Sequence, residues 1–280
     1  MEVCKIVFEN SIFAEGLVEH ALQRDVVEMA SSDGGYYTAL EHILSALRKQ
    51  GDNHSYLSSV GQFEQPNSEA SQPKAEFISS CGYIEVPGIS GFDESEFTLY
   101  IERLRGYIKE MDEMGVEGWI IDLRSNNGGN MQPMIAGIGE LFDSEVLGYF
   151  ISKGGKRYTW GFRGGYYLYN NVVGIGARAM HGIGRKPIAL LVGSATASSG
   201  EMVLVSFMGN SNTRTFGNHS AGYLTGVTPF KLPCGRILGL ATAQVADRNG
   251  TVQSGVINPD VVCDEDNALA LAIKWIRTQE

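Results

Sequence analysis

The chain has 280 residues, 43% hydrophobic and 19% charged, enough to bury a full core as one large domain or as one domain with a small appendage. A net charge of -10 and a pI near 5.1 argue against a nucleic-acid partner, because neutralising phosphates needs a basic face and no dense Lys/Arg cluster occurs. No apolar run approaches the roughly 18 residues that a membrane-spanning helix needs.

From Phe8 to Gln50 the apolar positions Leu17, Ala21, Val26, Leu40, Ile43, Leu44 and Leu47 recur near helical spacing, broken at the SSDGG stretch 31–35. Residues 1–60 are therefore expected to form a small helical region. A polar, Pro/Ser-rich linker is expected at 61–74. The N-terminus MEVCKIVFENSIFAEG places Glu2 and Glu9 where a signal peptide would be basic and then apolar. A cytoplasmic location is expected if the chain is complete, and a cell-envelope or extracellular one if an anchor or signal has been removed.

Beyond the linker, GYIEVPGI and GWIIDLR read as strands on either side of a helix whose apolar face is Phe97, Tyr100, Ile101, Leu104, Ile108 and Met111. The pattern repeats with a helix at MQPMIAGIGELF, a strand at PIALLVGSA, a helix at SGEMVLVSFMGN and a strand at TRTFG. Paired strands follow around Cys234-Gly235, then a terminal helix, NALALAIKWIRTQ. Helices alternating with short apolar strands imply an α/β layered core over 75–280. The Gly/Tyr-rich stretch at about 152–185 lacks this period and reads as an extended or hairpin insertion.

Two strand-to-helix turns could carry chemistry, IIDLRSNNGGNM (120–131) and LLVGSATASSGEM (190–202). Each presents free backbone N–H groups at a helix start, where negative charge is stabilised, and glycines at 128, 129 and 200 allow close approach of a ligand. An acyl-transfer oxyanion requires such donors, and a serine at such a turn is a candidate nucleophile. Ser198 with Glu201 also fits an ordinary capping box, and NNGG an ordinary turn. Cys4, Cys81, Cys234 and Cys263 are widely separated, and neither they nor the histidines have the spacing of a metal site. No metal or organic cofactor is expected.

The succession IIDLRSNNGG, SATASSGE, TFGNHSAGYLTG and ADRNGTVQSGVINPDV resembles the S41 family of C-terminal processing, or tail-specific, serine proteases across residues 75–263. That resemblance implies a core like that of ClpP and the crotonases, with Ser198 as nucleophile and the N–H groups of Gly129 and Ser199 as the oxyanion hole. Tail-specific enzymes carry a PDZ domain and use a Lys in a GEPTFGKG motif as general base. Here a linker occupies the PDZ position and Tyr223 stands in the place of the Lys.

A PDZ-less branch that includes the nisin resistance protein is more similar, and it uses a Ser/His dyad with the His in a Gly-x-x-His-Ser context. That context matches GDNHS, which makes His54 the expected base, titrating near 6.5. His219 is the main rival and His181 a lesser one, while His20 and His42 read as surface residues. Glu201 is expected beside the catalytic pair, orienting the histidine or capping the helix. The resemblance places Asn130, Met131 and Tyr223 along the substrate groove.

The expected activity is a serine peptidase acting on extended peptide or protein substrates near their C-terminus, with the acidic chain favouring cationic ones. The alternatives are a catalytically silent S41-like ligand- or peptide-binding protein and, more remotely, a crotonase-type acyl-CoA enzyme.

Overall fold

The computed structural model describes residues 2–32, 35–58, 72–91, 93–180, 183 and 185–279. Residues 61–71 of the expected linker and His181 lie outside the described residues. The chain is mixed α/β and divides into two compact units. One is Met1–Gln65 with Phe150–Arg157 and Thr225–Val245, and the other is Pro66–Tyr149 with Tyr158–Leu224 and Ala246–Glu280.

The first unit is built on the helices α1 (Glu2–Asn10), α2 (Glu19–Ala30) and α3 (Gly35–Arg48). The expected helical stretch from Phe8 onward is interrupted once more than the sequence suggested, at residues 11–18. There the Ser11 hydroxyl accepts from the Phe13 N–H at 3.1 Å, the local side-chain competition that makes serine a poor helix-interior residue. Ala39, Leu40, Ile43, Leu44 and Leu47 of α3 are buried against Val3 and Val7 of α1, Val26 of α2, and Leu238 and Leu240. Each of the leucines, isoleucines and valines among them contributes about 1.5–3 kcal/mol when fully buried.

The leucines at 238 and 240 belong to the strand Ile237–Asp247, which pairs antiparallel with Thr225–Lys231 and with the short strand Tyr56–Leu57. The hairpin expected around Cys234-Gly235 is present, and it packs in the same unit as the N-terminal helices.

The second unit holds a six-stranded sheet in the order Val261–Val262, Thr213–Gly217, Ile188–Val192, Gly118–Asp122, Cys81–Glu85, Lys74–Ile78. All neighbours run parallel except the last pair, an antiparallel hairpin. The strands Gly118–Asp122 and Ile188–Val192 are buried along their whole length, as expected of parallel strands covered on both faces.

Helix α4 (Glu94–Glu113) begins at Asp93, whose carboxylate accepts from the N–H groups of Ser95 at 2.8 Å and Glu96 at 3.4 Å, a cap worth about 1 kcal/mol. It packs on α5 (Met131–Ile138). Helix α6 (Ser199–Phe207) leaves the central strand, and α7 (Glu265–Ile276) lays Ala268, Ala272 and Ile276 on Ile120, Ala189, Leu191 and Phe216.

The Gly/Tyr-rich stretch forms antiparallel strands, Arg157–Arg163, Tyr166–Tyr169 and Val172–Gly176. Trp160 from its first strand is fully buried and donates its indole N–H to the Ser206 hydroxyl at 3.0 Å, which fixes α6 from the side. Among the described residues no helix is long and apolar enough to cross a membrane.

Candidate active site

The apolar strand Ile188–Val192 ends in Gly193, and the chain turns through Thr196 and Ala197 into α6. Thr196 is fully buried, its hydroxyl donating to the Leu123 carbonyl at 2.8 Å while accepting from the Gly193 N–H at 3.1 Å. Ala197 donates its N–H to the Asn126 carbonyl at 2.9 Å. These bonds stitch the two turns singled out in the sequence to one another.

At the corner Ser198 adopts φ 52 and ψ -115, a region costing a non-glycine residue on the order of 1–3 kcal/mol. Among the described residues, the other non-glycine positions with positive φ are the adjacent pairs Ser79-Ser80 and Asn170-Asn171, both in hairpin turns. Of these, Ser198 is the one at a strand-to-helix junction, and it is only partly buried there.

The facing turn is shaped by Asn126, which is fully buried. Its amide donates to the Val86 carbonyl at 2.9 Å, and its side-chain oxygen accepts from the Gly128 N–H at 3.0 Å. Gly128 and Gly129 follow with φ of 105 and 112. A Cβ on Gly128 would lie 2.9 Å from that of Ser198, and one on Gly129 would lie 2.1 Å from the Ile89 carbonyl oxygen. Glycine is required at both for conformation and for space. The Ser199 hydroxyl donates to the Gly129 carbonyl at 2.6 Å. The N–H groups of Gly129 and Ser199 have no acceptor among the described residues.

Asn130 and Met131 lie just beyond this turn. Asn130 caps α5, its side-chain oxygen accepting from the Gln132 N–H at 3.0 Å, and its own N–H donates to the Ile89 carbonyl at 2.6 Å. Met131 is 9% exposed, so most of its side chain faces the interior of the unit.

Glu201 is completely buried on the first turn of α6. One carboxylate oxygen accepts from the N–H groups of Ser198 and Tyr223, each at 2.8 Å. The other accepts from the Ser220 hydroxyl at 2.6 Å and the Gly222 N–H at 2.8 Å. The carboxylate end of the capping box is thus realised, and the same group holds the 220–223 loop against the serine corner. Tyr223 keeps 38% of its surface exposed on that loop.

His54 belongs to the first unit. Asp52, 1% exposed, accepts from the His54 N–H at 3.0 Å, the Ser55 N–H at 2.9 Å and the Ser55 hydroxyl at 2.6 Å. The Ser55 hydroxyl in turn accepts from the Ala241 N–H at 2.8 Å, which ties the histidine loop to the strand Ile237–Asp247. The ring nitrogen Nδ1 is 2.8 Å from the Thr225 hydroxyl. Burial pulls the imidazole below its usual pKa, opposed by the Asp52 carboxylate and a backbone hydrogen bond at Thr225, so the expectation of titration near 6.5 is revised downward.

His219 is exposed and turns Nδ1 to the carbonyl of its own neighbour Ser220, at 2.9 Å. Sequence reasoning missed Asp52, Thr225, Asn126 and Ser220. The Asp-x-His-Ser spacing carried a local signal for Asp52. Thr225, 171 residues from His54, carried none.

Known proteins resemble the chain in sequence and in fold. The model of peptidase family S41 matches residues 80–263. The nisin-resistance protein of Lactococcus lactis subsp. lactis is 27% identical over 284 residues, an alignment covering 97% of this chain and 84% of that one. The structure of a lipoprotein from Streptococcus agalactiae is 25% identical and superimposes with a TM-score of 0.85 over 100% of this chain and 95% of that one. A crystal structure from Parabacteroides merdae shares the fold, with a TM-score of 0.62 and 16% identity over 98% of this chain and 95% of that one.

Proposed function

The chain belongs to peptidase family S41, and from that premise we propose that it is an active serine peptidase which cleaves extended peptides near their C-terminus through an acyl-enzyme on Ser198. The observation that carries this reading is the Ser198 corner. A partly buried serine is held at φ 52 between a buried strand and a helix start, beside two backbone N–H groups, of Gly129 and Ser199, that have no acceptor among the described residues. Holding such a corner costs free energy that an ordinary helix cap does not require, and unpaired donors beside a nucleophile are what a developing oxyanion needs.

In this mechanism His54 takes the proton of the Ser198 hydroxyl as its oxygen attacks the scissile carbonyl, and the Gly129 and Ser199 N–H groups stabilise the negative oxygen. The protonated imidazole then gives its proton to the leaving amine as the C–N bond breaks. Water, deprotonated by the same imidazole, attacks the ester and releases the acid product and the free serine. An imidazole held neutral by burial suits the first step, since it accepts a proton at neutral pH, where an unperturbed lysine with a pKa of about 10.4 would not. Glu201 orders the corner and the Tyr223 loop.

The substrate is an extended strand recognised by backbone pairing, and the net charge of -10 favours cationic peptides. The likeness to a streptococcal lipoprotein supports activity at the cell envelope.

A serine-directed phosphonate should add covalently to Ser198, mapped by peptide mass spectrometry, and should stop hydrolysis in proportion. Tyr223 in the position of the family's lysine favours one other reading, a silent peptide carrier. An unlabelled protein that still binds peptide would establish that instead.

A further inference from the structure

We propose that Thr225 is a positioning residue for His54, its hydroxyl accepting from Nδ1–H so that Nε2 is the nitrogen left to receive the Ser198 proton. This rests on the reading of His54 as base and deepens it.

Two oxygens hold the imidazole from opposite ends. At the backbone end the buried Asp52 carboxylate accepts from the His54 N–H at 3.0 Å and fixes the following Ser55 by two further bonds. At the ring end the Thr225 hydroxyl is 2.8 Å from Nδ1. Thr225 opens the strand Thr225–Lys231 and is registered against Gln244 of Ile237–Asp247, the strand that Ser55 also grips through Ala241. The histidine and its partner therefore stand on one framework, within one unit, although 171 residues separate them.

A hydroxyl can donate or accept, so the direction of this bond decides which ring nitrogen is basic. Donation by Thr225 would leave the ring proton on Nε2 and remove the base. Acceptance places the proton on Nδ1, fixes the ring rotation, and leaves the Nε2 lone pair for catalysis. Partners of this kind on metal-bound imidazoles change affinity or activity about 10- to 100-fold, and an effect of the same order is expected here.

The test combines ring nitrogen chemical shifts with steady-state kinetics. In uniformly 15N-labelled wild type, above the pKa of the ring, the shifts of His54 should be those of an Nδ1–H imidazole. Thr225→Val, which exchanges the hydroxyl for a methyl of similar size, should lower kcat about 10- to 100-fold with KM little changed. Thr225→Ser should restore most of kcat. An Nε2–H ring in active wild type, or an unchanged kcat in folded Thr225→Val, would overturn the role of Thr225. If Thr225→Val does not fold, the wild-type shifts and Thr225→Ser decide. Full activity in His54→Ala would instead overturn the reading of His54 as base, so the two failures are distinguishable.

Discussion

Around Ser198 the side chains that act, those of Thr196, Ser199 and Glu201, lie within three residues of it and grip the backbone of the facing turn and of the 220–223 loop. Around His54 it is set partly by the adjacent Asp52 and partly by residues far along the chain, Thr225 and Ala241. Buried carboxylates secure the backbone at both places, but the serine corner is strained, whereas the histidine is an ordinary loop residue whose ring is positioned through its side chain. Substitutions in the frame that holds Ser198, its buried carboxylate and its facing glycine turn, should therefore lower stability and activity together, whereas removing the His54 side chain should lower activity with less loss of stability.

The sharpest contrast is between His54→Ala and Glu201→Ala. His54→Ala should reduce kcat/KM roughly 10³- to 10⁴-fold, in the range of lost general-base catalysis, while the midpoint of urea unfolding shifts little. Glu201→Ala strands three N–H groups and a hydroxyl inside the protein and should lower stability by roughly 3–5 kcal/mol. Equal stability loss in the two variants would erase the distinction.

Gly128→Ala comes next. It forces a Cβ to φ 105 and to 2.9 Å from the Ser198 Cβ. Unfolding should become easier by roughly 1–3 kcal/mol, with hydrolysis falling alongside because the turn beside the nucleophile must move. A variant that keeps wild-type kcat would show that the corner tolerates displacement.

The smallest effects concern pH. A general base works when neutral, so activity falls as pH drops through its pKa. Burial lowers that of His54, so the acid limb of kcat/KM should lie below the ordinary value of about 6.5. The Asp52 carboxylate raises it, and Asp52→Asn should move the limb to still lower pH. A limb at or above 6.5, or a shift upward in Asp52→Asn, would contradict this account of the histidine's surroundings.

The same contrast explains what could be read from the sequence. The strand Thr213–Gly217 and the faces of α4 and α7 follow hydrophobic periodicity, and each was expected nearly where it lies. The serine corner was legible because strand, turn and cap are contiguous. The interruption at 11–18 was not, since there Ile12 gives its N–H to the distant Ala241 carbonyl and Phe13 gives its own to the Ser11 hydroxyl, pairings that periodicity does not display. The strands Lys74–Ile78 and Val146–Ser152 went unseen because an edge position and partial burial give little alternation. Thr225 was invisible because strand pairing brings it to Nδ1, and Met131 gave no sign that its side chain faces inward.

The central claim is that Ser198 is the nucleophile, and the most direct measurement is hydrolysis of a peptide substrate by Ser198→Ala beside wild type, with the unfolding midpoint recorded for both. The account predicts a folded protein, destabilised by no more than the roughly 0.5–2 kcal/mol of a lost helix cap, that still binds the peptide but shows turnover reduced by many powers of ten. Turnover retained within about tenfold of wild type would contradict it.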